Sequence, residues 1–182
     1  MVDRQSQEIV QAGALIIALG TNISAVAESR QAMGIEAYGD LLATIGEGLQ
    51  AVGAFVIGTV PDEGILSFSG NWIDGIGAAT SSVGSYLALT NTVDRDQSER
   101  IIVIGDSFQS MGASMSALSD YEADNVNSAR GNVTQALGAG LEAIGTLLII
   151  NDNPESGQLI VAIGSTLQAI GANYIARLEW GE

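Results

Sequence analysis

The sequence predicts an all-α protein: a six-helix glycine-heptad bundle or array made of three αα-hairpin repeats. Three observations carry that prediction. Glycine recurs every seven residues in six separate blocks. Breaker residues fall between the blocks. No stretch has the strand-length alternation of a half-buried sheet. Seven residues are two helical turns, so each block sets its glycines on one stripe of one helix.

The first helix is predicted over 3–32, where Gly13, Gly20 and Gly34 share a register and Ala27 fills the missing step. A turn across Gly34 to Gly39 leads into the second, 36–58, with Gly39, Gly46 and Gly53. Pro61-Asp62-Glu63-Gly64 ends it, and the third spans 64–90 with Gly70, Gly77 and Gly84. Thr90 to Asp94 separates it from the fourth, 95–119, where Ser98 takes the slot before Gly105 and Gly112. The polar stretch Asp120 to Ala129 precedes the fifth, 127–150, with Gly131, Gly138 and Gly145. Asn153 suits a cap and Pro154 a first turn for the sixth, 154–178, with Gly157, Gly164 and Gly171. Block starts are spaced by 26, 31, 28, 33 and 26 residues, short and long in alternation. That predicts hairpins over 3–58, 64–119 and 127–178 within a single repeat domain, 1–182.

With glycine at heptad position a, positions d and g are apolar, as in Ile160, Leu167, Ile163 and Ile170. Position f is small, as in Ala51, Ala136 and Ala169. The expected packing surface is therefore a g-a-d seam with a small shoulder. Glycine inside a helix costs roughly 1 kcal/mol against alanine, so about eleven of them cost on the order of 10 kcal/mol. Close helix approach is the compensation that fits. The expected helix-packing residues are Gly20, Gly46, Gly53, Gly77, Gly84, Gly105, Gly112, Gly138, Gly145, Gly164 and Gly171.

Composition narrows the chemistry. Apolar residues make up 47% and aromatics 5%, so the interior is aliphatic and small. Net charge is −15; all six basic residues are arginine and there is no lysine. Such a chain repels nucleic acid and anionic membranes, and its composition fits adaptation to high salt. With neither cysteine nor histidine there is no disulfide, thiolate or imidazole metal site. No secretory signal is recognised at Met1 to Gln5, which points to the cytoplasm.

No catalytic, cofactor or metal site is expected. Serine has no histidine or lysine to activate it, and nothing in the sequence brings Asp74 and Glu47 together. Asp94 to Glu99 and Asp120 to Asn125 lack the central glycine and closing glutamate of a calcium loop. Gly75-Ile76-Gly77 and Gly138-Ala139-Gly140 follow no strand, so they are not dinucleotide loops. The sequons at Asn22 and Asn132 fall inside predicted helices.

Residues 9–27, 75–93 and 156–176 carry no charge, while acids gather at the turns. These runs approach membrane-spanning length. Against a span stand Gln158, Ser165, Thr166, Gln168 and Asn173, and the lack of flanking basic residues and aromatic belts.

Leu49-Gln50-Ala51-Val52-Gly53, Leu167-Gln168-Ala169-Ile170-Gly171 and Leu141-Glu142-Ala143-Ile144-Gly145 resemble a family of uncharacterised repetitive proteins of Bacillus-type bacteria, built on Leu-Gln-Ala-Ile-Gly units. The resemblance implies helices and no assigned activity. The acidic, lysine-free composition departs from that family and resembles a haloarchaeal protein. The leading expectation is a non-enzymatic, self-associating structural or scaffold protein, a homo-oligomer through its neutral flanks. The alternative is a monomeric helical module binding a protein or apolar ligand. The third is a membrane-active glycine-zipper protein.

Overall fold

The computed structural model describes residues 4–35, 37–60 and 64–181. Within them run six helices: α1 Arg4–Ala32, α2 Gly39–Ile57, α3 Gly64–Leu89, α4 Arg95–Glu122, α5 Val126–Ile150 and α6 Pro154–Gly181. The described residues contain no strand. The expected turn at Pro61-Asp62-Glu63 lies outside the described residues. α2 begins later than expected because Tyr38 sits at φ 65°, a left-handed residue that a helix cannot include. α4 and α6 run past their expected ends, to Glu122 and Gly181. Glycine spacing marks only the part of a helix that needs close approach, not its full length.

Four helix ends share one closure. The amide of Ile35 donates to Arg30 O, Thr92 to Leu87 O, Asn125 to Asp120 O and Asn153 to Leu148 O. In each, the preceding residue has positive φ: Gly34 at 75°, Asn91 at 51°, Asp124 at 59° and Asp152 at 60°. This is the Schellman arrangement, in which a left-handed residue lets the chain satisfy its last carbonyls. Asn and Asp tolerate that conformation, which explains the polar turns.

The helices alternate in direction and close into a ring: α1 meets α2, and so on to α6, which returns to α1. Among the described residues no helix packs its backbone against any other than its two ring neighbours. α1, α3 and α5 meet α2, α4 and α6 through glycine faces. At each of the eleven expected glycines, an added Cβ would lie 2.6–3.0 Å from a carbonyl oxygen of the opposed helix. Gly20 faces Gly46, Gly77 faces Gly105, and Gly138 faces Gly164, each reciprocally.

The remaining contacts are small too. Apart from Val60 and Val161, every buried apolar residue among those described is alanine. The large apolar side chains at d, such as Leu49 and Leu167, are half-buried, and those at g lie elsewhere, which corrects the g side of the expected g-a-d seam. Ile45, Val52, Ile104, Met111, Leu137, Ile144, Ile163 and Ile170, all at position g, are exposed. Glycine and alanine bring the backbones so close that no room is left between them for a branched side chain. The g residues are therefore turned outward.

Candidate functional site

A ring in which, among the described residues, each helix packs its backbone against only two others encloses a lumen. Its lining follows from the heptad: with glycine at a, positions b and e face inward. The mid-helix acids all fall there. Glu28, Glu47 and Asp106 occupy b, and Asp74 and Glu142 occupy e. On α5, Leu137 is 61% exposed at g, while Glu142 at e is 6% exposed. Between the helix ends the protein thus exposes large apolar residues and turns its carboxylates inward.

Two chambers lie in the lumen among the described residues. One, of about 500 Å³, is lined by all six helices at the end where α1 starts. Val10, Ile17, Ile57 and Ile175 form its apolar wall. Asp74, Asn71, Asp120, Asn132 and Gln135 form its polar wall. Asn132 donates to Asp120 at 2.7 Å. A second chamber of about 50 Å³ lies towards the other end, again lined by all six helices, with Glu28, Glu99 and Asp106 in its wall. Its mouth is bridged by Arg95, which donates to both Asp40 oxygens at 2.9 and 3.0 Å and to Glu99 at 3.0 Å. Burial works against the Arg95 guanidinium, yet these carboxylates hold its pKa above the ordinary value.

Between the chambers is a waist of side chains. Glu47 Oε1 accepts from Ser24 at 2.9 Å and from Gln50 at 2.8 Å. Its Oε2 accepts from Gln109 at 2.9 Å, a bond from α4 to α2, which are not ring neighbours. Asp106 accepts from Ser81 at 2.6 Å. Gln50, Gln109 and Gln168 each follow a glycine by four residues, and all are 3–4% exposed.

The third hairpin departs from the other two. Glu47 and Asp106 follow Gly46 and Gly105 directly, and their serines stand four residues after Gly20 and Gly77. In the third, serine follows the glycine at Gly164-Ser165, and the acid, Glu142, stands four residues after Gly138. The partners have exchanged helices, so each hairpin still contributes one carboxylate to the waist. Ser165 donates to the Ala162 carbonyl at 3.1 Å instead of to Glu142. Glu142 Oε1 and Gln168 Nε2 are buried close to one another without a well-formed hydrogen bond.

Sequence reading missed this site, although its signal was present: every mid-helix carboxylate stands at b or e. Glu47 and Asp74, which nothing in the sequence joined, lie within electrostatic reach of one another. The Asp94 to Glu99 stretch supplies the Arg95 bridge, and Asp120 to Asn125 forms the α4 closure. Among the described residues no group of three or more side chains is arranged to hold a metal ion. The glycine pairs at 75–77 and 138–140 are helix-interior. Of the two sequon asparagines, Asn132 faces the lumen, and Asn22 lies outside, bonded to Asn173.

Residues 8–176 match a family of unknown function (DUF6944), so the chain belongs to that family. No curated protein and no solved structure matches the chain.

Proposed function

We propose that this chain is a membrane-spanning helical barrel whose acidic lumen handles a small polar or charged species. The observation that carries this reading is the inverted distribution of polarity. The outer belt holds large apolar residues such as Leu19, Val52, Val83, Ile104, Leu137 and Ile170. The acids between the helix ends face the lumen. Burying charge and exposing aliphatic surface is unfavourable in water and is what a bilayer demands. Uncharged runs such as 156–176 extend about 30 Å as helix, the thickness of the hydrocarbon core.

The polar residues that argued against a span fit this reading. Gln158 and Gln168 face inward. Thr166 faces out, but its hydroxyl donates to Ala162 O at 2.7 Å. Asn173 donates to Ala169 O at 2.6 Å and exchanges bonds with Asn22. Hydroxyls and amides closed on the backbone or across helices are tolerated in hydrocarbon. Four helices, α1, α2, α5 and α6, are long and apolar enough to cross a membrane. In α3 and α4 the inward Asp74 and Asp106, with their serines, lower the mean hydropathy. Tyr38, Tyr121 and Trp180 are exposed near helix ends, where amphipathic rings meet the membrane interface. The small-residue faces match the way membrane helices pack.

The test is extraction. Expressed in a bacterial host, the protein should stay in the membrane pellet through alkaline carbonate and need detergent for release. A second reading, self-association of a soluble scaffold, uses the same exposed belt, covered by other copies of the chain. It expects concentration-dependent assembly without detergent, and recovery of such assemblies from the soluble fraction would favour it. A soluble monomer would favour a ligand-binding module.

We also propose that the acidic, lysine-free composition reflects adaptation to high salt. The charges lie at the helix ends, where they repel one another within a screening length of about 10 Å at 0.1 M salt and 3 Å at 1 M. The melting temperature should rise between roughly 0.05 and 2 M salt as this repulsion is screened. A flat response would remove the salt-adaptation reading and leave the membrane reading untouched.

A further inference from the structure

We propose that the lumen conducts protons along its carboxylates, with Glu142 as the relay group at the waist; this rests on the membrane reading above. The groups run from one end to the other. Asp120 and Asp74 line the wide chamber. Glu47, Asp106 and Glu142 form the waist and share the wall of the narrow chamber with Glu28 and Glu99. Glu28, Glu47, Asp106 and Glu142 lie within electrostatic reach of one another. No basic side chain is bonded to the waist acids; their partners are serine and glutamine. Acids inside a span that face the bundle interior mark ion pathways and proton relays.

The unpaired atoms give the second, independent observation. Glu142 and Gln168 are 6% and 4% exposed and close to one another, yet neither Glu142 Oε1 nor Gln168 Nε2 completes a well-formed hydrogen bond. A native interior seldom leaves such atoms orphaned, so beside the narrow chamber this position calls for a proton, a water or an ion. A protonated Glu142 gains an O–H donor and a deprotonated one regains an acceptor, so this position can take a proton and pass it on. The exchange of serine and acid in the third hairpin keeps one carboxylate per hairpin at the waist, but leaves Glu142 without the serine that fixes Glu47 and Asp106.

Protons fit this waist better than metal ions. Direct side-chain bonds cross it, including Gln109 to Glu47, whereas a metal ion needs an opening and a coordinating group. A proton needs only a succession of groups. Each carboxylate in turn accepts one proton and releases one, so the chain is unchanged after each passage.

The test uses the whole purified chain in liposomes of neutral lipid, loaded with potassium and a pH-reporting dye. Flotation on a density gradient comes first: protein that does not float with the vesicles refutes the membrane reading and this proposal with it. With floating protein, valinomycin sets an inside-negative potential and internal acidification is followed. Acidification above that of empty vesicles is expected. Glu142→Gln should reduce it to the empty-vesicle level, while Glu142→Asp, which keeps the proton, retains it. If Glu142→Gln lacks native helicity by circular dichroism, Asp106→Asn is measured in its place with the same expectation. Flux unchanged in the amide variant, or no flux from floating wild-type protein, overturns the relay while leaving the membrane reading standing. Acidification that needs no valinomycin once an uncoupler is present would mean that potassium passes, and overturns it equally.

Discussion

Replacing Gly138 with alanine should lower the melting temperature by about 4–8 °C, given 2–4 °C per kcal/mol for a chain of this size. The new Cβ would lie 2.6 Å from Gly164 O, 2.7 Å from Gln168 N and 2.7 Å from Gln168 Cγ. Two of the three are backbone atoms, which no rotamer change can move. Relief requires α5 and α6 to separate, and that also disturbs the reciprocal contact at Gly164. Overpacking of this kind costs roughly 1–3 kcal/mol, and a backbone clash belongs at the upper end. Alanine's better helix propensity returns at most about 1 kcal/mol, so a net loss near 2 kcal/mol remains. Gly48 provides the contrast. It stands two residues off the register, and its Cβ would meet only Ser82 Oγ, at 3.4 Å. Gly48→Ala should leave the melting temperature unchanged or raise it. Thermal unfolding of both variants in detergent micelles, followed by circular dichroism, decides the matter. A higher melting temperature for Gly138→Ala would refute the close-packing argument.

The two glycines also indicate how far the sequence could be read. A seven-residue recurrence fixes helices and the face on which each meets its partner, because only glycine admits a carbonyl at 2.6 Å from where Cβ would be. Gly48 and Gly140 fall outside that register, and each meets only a serine hydroxyl at 3.3–3.4 Å. The turns were readable as well, since Asn91, Asp124 and Asp152 are residue types that accept positive φ.

The direction of the core was not readable by the same rules. A glycine stripe has two shoulders. On one stand Ile163 and Ile170 at g; on the other stand Ser165 and Gln168 at b and e. Heptad reasoning assigns the apolar shoulder to the interior, on the assumption that apolar faces pack inward as in a soluble bundle. The ring does the reverse, which leaves Ile163 at 48% and Ser165 at 1% exposure. The candidate site was hidden by the same assumption. Glu47, Asp74, Asp106 and Glu142 looked like scattered helix-surface acids, when they share the only two heptad positions that line the lumen. The exchange of acid and serine between Glu142 and Ser165 hid the waist further, since no single aligned column of the repeat carries all three acids.

Ser165 and Thr166 are neighbours in sequence and opposites in space, and that makes them the sharpest test of the proposed membrane barrel. Ser165 is buried at position b, where the other two hairpins carry Glu47 and Asp106. Thr166 lies on the outer belt at position c, near the middle of the uncharged run 156–176, with Asn173 two turns further on. Glutamate at both outer positions would set two charges against hydrocarbon. A charged residue at the centre of a span costs roughly 2.5–3.5 kcal/mol on insertion scales, so the change at Thr166 costs on the order of 3 kcal/mol and that at Asn173, nearer the end, adds to it. The double variant Thr166→Glu, Asn173→Glu should therefore be lost from the carbonate-resistant membrane fraction. Ser165→Asp adds a carboxylate one residue away but facing the lumen, so it should remain in that fraction. Fractionation followed by immunoblotting distinguishes the two. If the double variant stays membrane-bound, the outer belt does not face lipid and the barrel reading fails. If it becomes a folded, soluble monomer while wild type forms soluble assemblies, the belt is a contact between copies of the chain. Only a barrel turned outward to lipid places opposite outcomes in membrane retention on adjacent residues.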